Sequence, residues 1–229
     1  MSRARTAHEN PIGYSSVRLA AAAPCCKQEV RMPSLSDALV QLVLSIFLIV
    51  GVYQFYFWCQ TNPLARKTRG MRLALDDGIP YRPHWVWIYS FLYYPVVLVI
   101  TFTTSSSRQF LYIAISYVIL LLLQMLTFVL FPVATPPEWR EMNEGRGASE
   151  RFLAFVQRFD APSNSFPSMH TSVAVLTALH LQPALGPAIF LFPALIALSC
   201  LYTKQHYVAD LPAGALVGWA TFALFTVIR

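Results

Sequence analysis

Apolar residues fall in long blocks along this chain, and polar residues gather in the gaps between them. The first block, Ala38–Trp58, has about the length of helix that crosses a bilayer's hydrocarbon core. Tyr53, Tyr56 and Trp58 collect near its end, as an interfacial aromatic belt does. The second block, Trp85–Thr103, follows Tyr81-Arg-Pro-His84 and carries Pro95, which predicts a kink rather than a break. The third, Gln109–Phe131, is the most uniformly apolar. A fourth begins near Ser168 and is interrupted at Pro183, a fifth covers Gly186–Tyr202, and a sixth covers His206–Ile228. Gly214 and Gly218 in the sixth have the small-x-x-x-small spacing of closely packed helices. The pattern predicts an all-α, polytopic membrane protein with about six transmembrane helices.

The connections divide the chain further. Residues 1–35 predict a flexible cytoplasmic or interfacial tail, since the Ala20–Ala23 run is too short for a signal peptide. Residues 36–229 then form one membrane domain. The polar stretch Thr61–Pro83 carries Arg66, Lys67, Arg69 and Arg72, and is expected on the membrane surface. The longest connection, residues 132–167, is expected to be an active-site loop. Within it Ala148–Phe159 has helical periodicity suited to lying along the membrane.

Composition strengthens the membrane reading. Only 12% of the 229 residues are charged and 56% are hydrophobic, against about 25% charged in soluble proteins. The net charge of +6 sits in loops beside apolar runs, which fits anionic lipid headgroups or phosphate and not nucleic acid. Seven basic residues fall on the N-terminal side of the spans and ten on the other, so the positive-inside rule does not fix orientation. The four cysteines, Cys25, Cys26, Cys59 and Cys200, show neither metal-ligand spacing nor a disulfide framework.

Candidate chemistry lies at two span ends. Ser165-Phe-Pro-Ser-Met-His170 reads as a helix entry, with Ser168 as cap and His170 in the first turn, where unpaired N–H groups favour phosphate. In Lys204-Gln-His-Tyr-Val-Ala-Asp210, His206 and Asp210 are four apart and would share one helix face. A carboxylate there fixes the imidazole tautomer and frees the other nitrogen as nucleophile or base. With six spans, the ends carrying Arg140, His170, Lys204, His206 and Asp210 all meet on one membrane face.

Phe166-Pro-Ser-Met-His170 followed by His206-Tyr-Val-Ala-Asp210 resembles the second and third signatures of the type 2 phosphatidic acid phosphatase superfamily. The wording from Asp160 to His170 and from Tyr202 to Tyr207 is most similar to its inositol phosphorylceramide synthase-like branch, and the resemblance runs from about Ile79 to the C-terminus. It implies an integral membrane lipid phosphatase or phosphotransferase without metal or cofactor. His206 would form a phosphohistidine, with Asp210 orienting it and His170 serving as acid and then base. Membrane lipids would be the partners: a phospholipid donor, with water or a second lipid's hydroxyl as acceptor. It also implies an extracytoplasmic or lumenal active site. The sequence departs from the third signature, because Cys200 follows Ser199 where the family carries arginine. Lys204 and Arg140 are the expected replacements for phosphate binding beside Ser168, with Asp160, Asn164 and Tyr207 in support. His180 and His84 are expected to be structural.

Two other classes compete. A metal-dependent hydrolase would use His170, His206 and Asp210 as ligands, a thin donor set without further carboxylates. A non-catalytic transporter or scaffold would place polar residues at span midpoints, whereas the strongest candidates here lie at span ends. A soluble haloperoxidase of the same superfamily does not fit this composition.

Overall fold

The computed structural model describes residues 33–61 and 68–228. The expected tail falls almost wholly outside them, as do Cys25, Cys26, Arg66 and Lys67. The described residues are helical, with one isolated parallel bridge between Arg69 and Val133. Four helical stretches are long and apolar enough to cross a membrane.

Helix α1 runs Leu35–Thr61 and is entered through Ser34, whose hydroxyl accepts the Asp37 N–H at 3.1 Å. The short α2, Ala74–Gly78, lies in the first connection. The second long stretch, Pro83–Thr103, opens with a 3₁₀ turn at Pro83–Trp85, widens to a π turn at Ile88–Leu92, and continues as α3, Tyr93–Thr103. The wide turn comes just before Pro95, where the missing N–H and the ring would otherwise collide with a regular helical turn. Helix α4, Ser107–Leu130, starts at a Ser106 cap. Buried polar side chains tie these helices: Thr104 donates to Gln41 Oε1 at 3.0 Å, and Ser45 and Thr101 hydroxyls meet at 3.1 Å.

The long connection folds into α5, Pro137–Glu141, and α6, Ala148–Phe159. The second is the amphipathic helix expected; Leu153 is buried while Phe155 and Phe159 are exposed. The first was not expected, although Pro136-Pro137-Glu138 places proline at the first helical position, where its missing N–H costs nothing.

Helix α7, Met169–Leu185, retains Pro183 inside its last turn. A 3₁₀ turn at Pro187–Phe190 leads into α8, Leu191–Tyr202, and α9 covers Asp210–Ile228. The fourth and fifth expected spans are therefore shorter helices than the other four. The sixth begins at Asp210 and not at His206. Residues 203–209 form a turn in which Lys204 takes a left-handed backbone, φ 57°. That conformation ends the helical path.

The centre of the fold is the α7–α9 pair. A Cβ on Gly214 would stand 2.4 Å from the Ser168 carbonyl oxygen, and one on Gly218 2.4 Å from that of Ser172. Only glycine allows this approach, as the small-x-x-x-small spacing predicted. His180 is structural as expected: Nε2 lies 2.8 Å from the Ser116 hydroxyl, and its ring packs edge-on against Phe222 and Phe225.

Candidate active site

The 203–209 turn presents His206, and three groups shape that turn. Asp76, fully buried beneath it, accepts the Val208 N–H through Oδ1 and the Leu73 N–H through Oδ2, both at 2.7 Å. Its carbonyl oxygen accepts Lys204 Nζ at 2.7 Å. Asp210 Oδ2 accepts the Tyr207 N–H at 2.9 Å. The Tyr207 hydroxyl donates to the Ala134 carbonyl at 2.8 Å, pinning the turn to the long connection.

His206 and Asp210 meet, but by a different route from a shared helix face. They face each other across the turn, with His206 Nδ1 3.2 Å from Asp210 Oδ2 and 2.9 Å from the Ser165 carbonyl oxygen. A carbonyl oxygen can only accept, so Nδ1 carries the proton. Neutral His206 therefore holds its lone pair on Nε2. The second Asp210 oxygen, Oδ1, is buried without a hydrogen-bond partner among the described residues.

His170 enters from the first turn of α7, where Ser168 is the cap, its hydroxyl accepting the Thr171 N–H at 3.3 Å. The Ser168 N–H donates to the Asp210 carbonyl at 3.0 Å, so the two motifs are joined directly through the backbone. The His170 and His206 rings lie 5.9 Å apart, edge to face. Tyr89 and Tyr93 rings hold His170 at 4.3 and 5.0 Å, and the Tyr89 hydroxyl lies 3.3 Å from its Nδ1.

Both histidines stand at the polar end of a cavity of about 470 Å³, within the range of small-molecule sites. Asp160 and Asn164 complete that end, and the rest is mainly apolar wall from α1, α3, α4, α6 and α7. The lining reaches from Phe57 to Ser45 on α1, from Tyr89 to Ile100 along the second long stretch, and from Leu121 to Phe110 on α4. The runs cover eleven or twelve helical steps, giving a depth of about 17 Å at 1.5 Å per residue.

Asn164 has a left-handed backbone, φ 62°, and its buried Nδ2 has no hydrogen-bond partner among the described residues. Asp160 accepts from the Tyr56 hydroxyl and, at 3.1 Å, from Gln60 Nε2. Burial holds its carboxyl above the usual range, opposed by the Tyr56 hydrogen bond and by the Arg140 guanidinium.

The two expected phosphate cations are engaged elsewhere. Arg140 Nη1 donates to the Gln157 carbonyl at 3.0 Å and Nη2 to that of Asp160, closing the C-terminal end of α6. Burial lowers its pKa. The Lys204 ammonium sits over the Trp139 ring, 4.9 Å from its centre, while holding Asp76; burial lowers its pKa too. Neither side chain lines the cavity. Sequence reasoning missed Asp76, whose only signal was an acidic pair, Asp76-Asp77, in an otherwise basic connection. It also missed the tyrosines around His170.

Polar groups within the helices pair across helix interfaces, as in Gln124 with Ser172 and Tyr117 with Thr177. That arrangement differs from a polar permeation path. What the fold and site define is a helical membrane protein with two histidines joined to one apolar cavity. The PAP2 superfamily model matches residues 80–224, and the chain belongs to that superfamily. Membership supports a membrane enzyme of the phosphatase or phosphotransferase type. No curated protein and no solved structure matches the chain.

Proposed function

We propose that the chain is an integral membrane lipid phosphatase or phosphotransferase acting through a phosphohistidine at His206. The observation that carries this reading is the shared Nδ1 of His206, bound by the Ser165 carbonyl and Asp210, which leaves Nε2 as the nucleophile beside His170. Nε2 attacks phosphorus as the ester P–O bond breaks, and His170 gives its proton to the departing oxygen. His170 then takes the proton of water or of a lipid hydroxyl, which attacks phosphorus as the N–P bond breaks. Asp210 stabilises the charged ring.

Asn164 Nδ2 and the first turn of α7 are the donors for phosphate oxygens. Lys204 and Arg140 work at one remove, by holding the turn and the end of α6. The apolar cavity supports a lipid substrate, with the phosphate at the histidines and hydrocarbon along the 17 Å wall. A phosphoinositol-type donor with a sphingolipid acceptor is the transferase version, and phosphatidate hydrolysis is the phosphatase version. Six crossings, counting the short α7 and α8, bring the motif ends to one face, which we assign to the extracytoplasmic or lumenal side. A cysteine introduced at Arg146 should then react with a membrane-impermeant thiol reagent added to that side, and labelling only from the cytoplasmic side would reverse the assignment.

The test is turnover of detergent-purified protein in EDTA, on phosphatidate and on a phosphoinositol lipid, with and without ceramide or diacylglycerol. Chelator-resistant turnover that disappears in His206→Ala supports the reading, and the products separate hydrolysis from transfer. Turnover retained by folded His206→Ala removes the nucleophile. Turnover abolished by EDTA and restored by metal would favour a metal-dependent hydrolase.

A further inference from the structure

Phosphoryl transfer as drawn uses His170 and His206 but gives Cys200 no part. Cys200 lies on α8 and is fully buried. The ligating atoms of His170, Cys200 and His206 lie within 4.8 Å of one another. These residues come from α7, α8 and the 203–209 turn, so only the tertiary fold brings them together.

We propose that His170, Cys200 and His206 form a binding site for a thiophilic divalent cation of the zinc type, and that its occupancy silences the centre. The coordination stands on geometry alone. The silencing rests on the proposed role of His206, because the metal would take the Nε2 lone pair that attacks phosphorus.

The donor set fits such an ion. Tetrahedral zinc, with bonds of about 2.0–2.3 Å to nitrogen and sulfur, needs ligands roughly 3.3–3.6 Å apart. The three side chains therefore need to close in by up to about 1.5 Å. Each imidazole already has an oxygen partner at Nδ1: Asp210 and the Ser165 carbonyl for His206, and the Tyr89 hydroxyl for His170. Outer partners of this kind orient metal-bound histidine and raise its basicity. Nε2 is then the nitrogen each ring has to offer. Two histidines and one thiolate leave the fourth tetrahedral position for water or a phosphate oxygen on the cavity side, where both histidines face. Magnesium and calcium seek oxygen ligands, which this set does not provide. Coordination needs the thiolate, so the Cys200 proton leaves as the metal–sulfur bond forms. Cys200 also stands where the family resemblance calls for arginine, so the site belongs to this chain's departure from the signature.

The experiment uses full-length, EDTA-stripped protein carrying Cys25→Ser, Cys26→Ser and Cys59→Ser, so that one thiol remains. Cobalt(II) serves as the spectroscopic probe and zinc as the inhibitor. Expected are about one equivalent of tetrahedral cobalt and a near-ultraviolet thiolate-to-cobalt band that Cys200→Ser and Cys200→Ala both abolish. In the wild-type background, Cys200→Ser should raise the zinc needed for half-inhibition by about tenfold or more. Its metal-free turnover should stay near wild type, because Cys200 does not line the cavity. No band, or a band that survives both substitutions, overturns the site. Stripped enzyme that is inactive and regains turnover with zinc overturns the silencing. A wild-type protein inactive on every lipid would count against the phosphohistidine reading alone, since the cobalt spectrum needs no turnover.

Discussion

Gly214→Ala tests whether the α7–α9 contact sets the histidine geometry. The added methyl would lie 2.4 Å from the Ser168 carbonyl oxygen, against about 3.4 Å for ordinary contact. The helices must therefore part by about 1 Å at the residue that caps α7 and donates to Asp210. Overpacking of this kind costs about 1–3 kcal/mol, and the gain of alanine over glycine in a helix offsets about 0.5–1 of it. A 1 Å misplacement of reacting groups can cost about 100-fold in rate. Gly218→Ala is the matched control, with the same 2.4 Å clash one turn deeper, against Ser172. Lipid phosphate release and thermal unfolding in detergent would be measured for both. Gly214→Ala should lose about 100-fold in kcat, and Gly218→Ala should lose comparable stability with a clearly smaller fall in kcat. Equal kcat losses in the two variants, or near-wild-type kcat in Gly214→Ala, would refute the link between this contact and catalysis.

Asp210→Asn removes the negative partner of His206 Nδ1, and kcat should fall about 100-fold or more while KM changes little; a large KM change with kcat intact would contradict its orienting role. Asp76→Ala leaves the Val208 and Leu73 N–H groups without their acceptor, and should cost about 1–3 kcal/mol per group left unpaired, read as a lowered denaturation midpoint. Asp160 has a folded-state pKa raised by burial, so the folded protein binds its proton more tightly than the unfolded chain does. Its protonated form supports folding at low pH, and that support is lost as pH rises through the folded pKa. Asp160→Asn should therefore melt higher than wild type at neutral pH, with the gap narrowing as pH falls toward the ordinary value of 3.8; a gap independent of pH would disprove this account.

The four long apolar helices were legible because bilayer thickness imposes a long apolar run that no local detail disguises. The Ser168 cap, the α6 boundaries and the Gly214–Gly218 packing were legible for similar reasons, each being a short-range rule with a distinct residue signature. The His206–Asp210 pair was legible as a pair but not as a conformation. Spacing of four suggests a helix, yet Lys204 takes a left-handed backbone and Asp76, more than 120 residues earlier, ties the turn. Contacts at that sequence distance leave no periodicity to read. The same holds for the cations: Arg140 and Lys204 were chosen for charge, and the fold directs both charges to backbone carbonyls. Asn164 was placed in support by resemblance, while its amide, unpartnered among the described residues, became visible only in three dimensions.

The depth of the cavity has a consequence for how such an enzyme meets its substrate. About 17 Å is a little over half of a hydrocarbon core about 30 Å thick. A lipid seated with its phosphate at His206 would keep its chains within a single leaflet and its headgroup at that leaflet's surface. The enzyme would then sample lipids by lateral diffusion in two dimensions. Its rate would follow the mole fraction of substrate in that leaflet, and lipid on the opposite side would have to flip across before it could react.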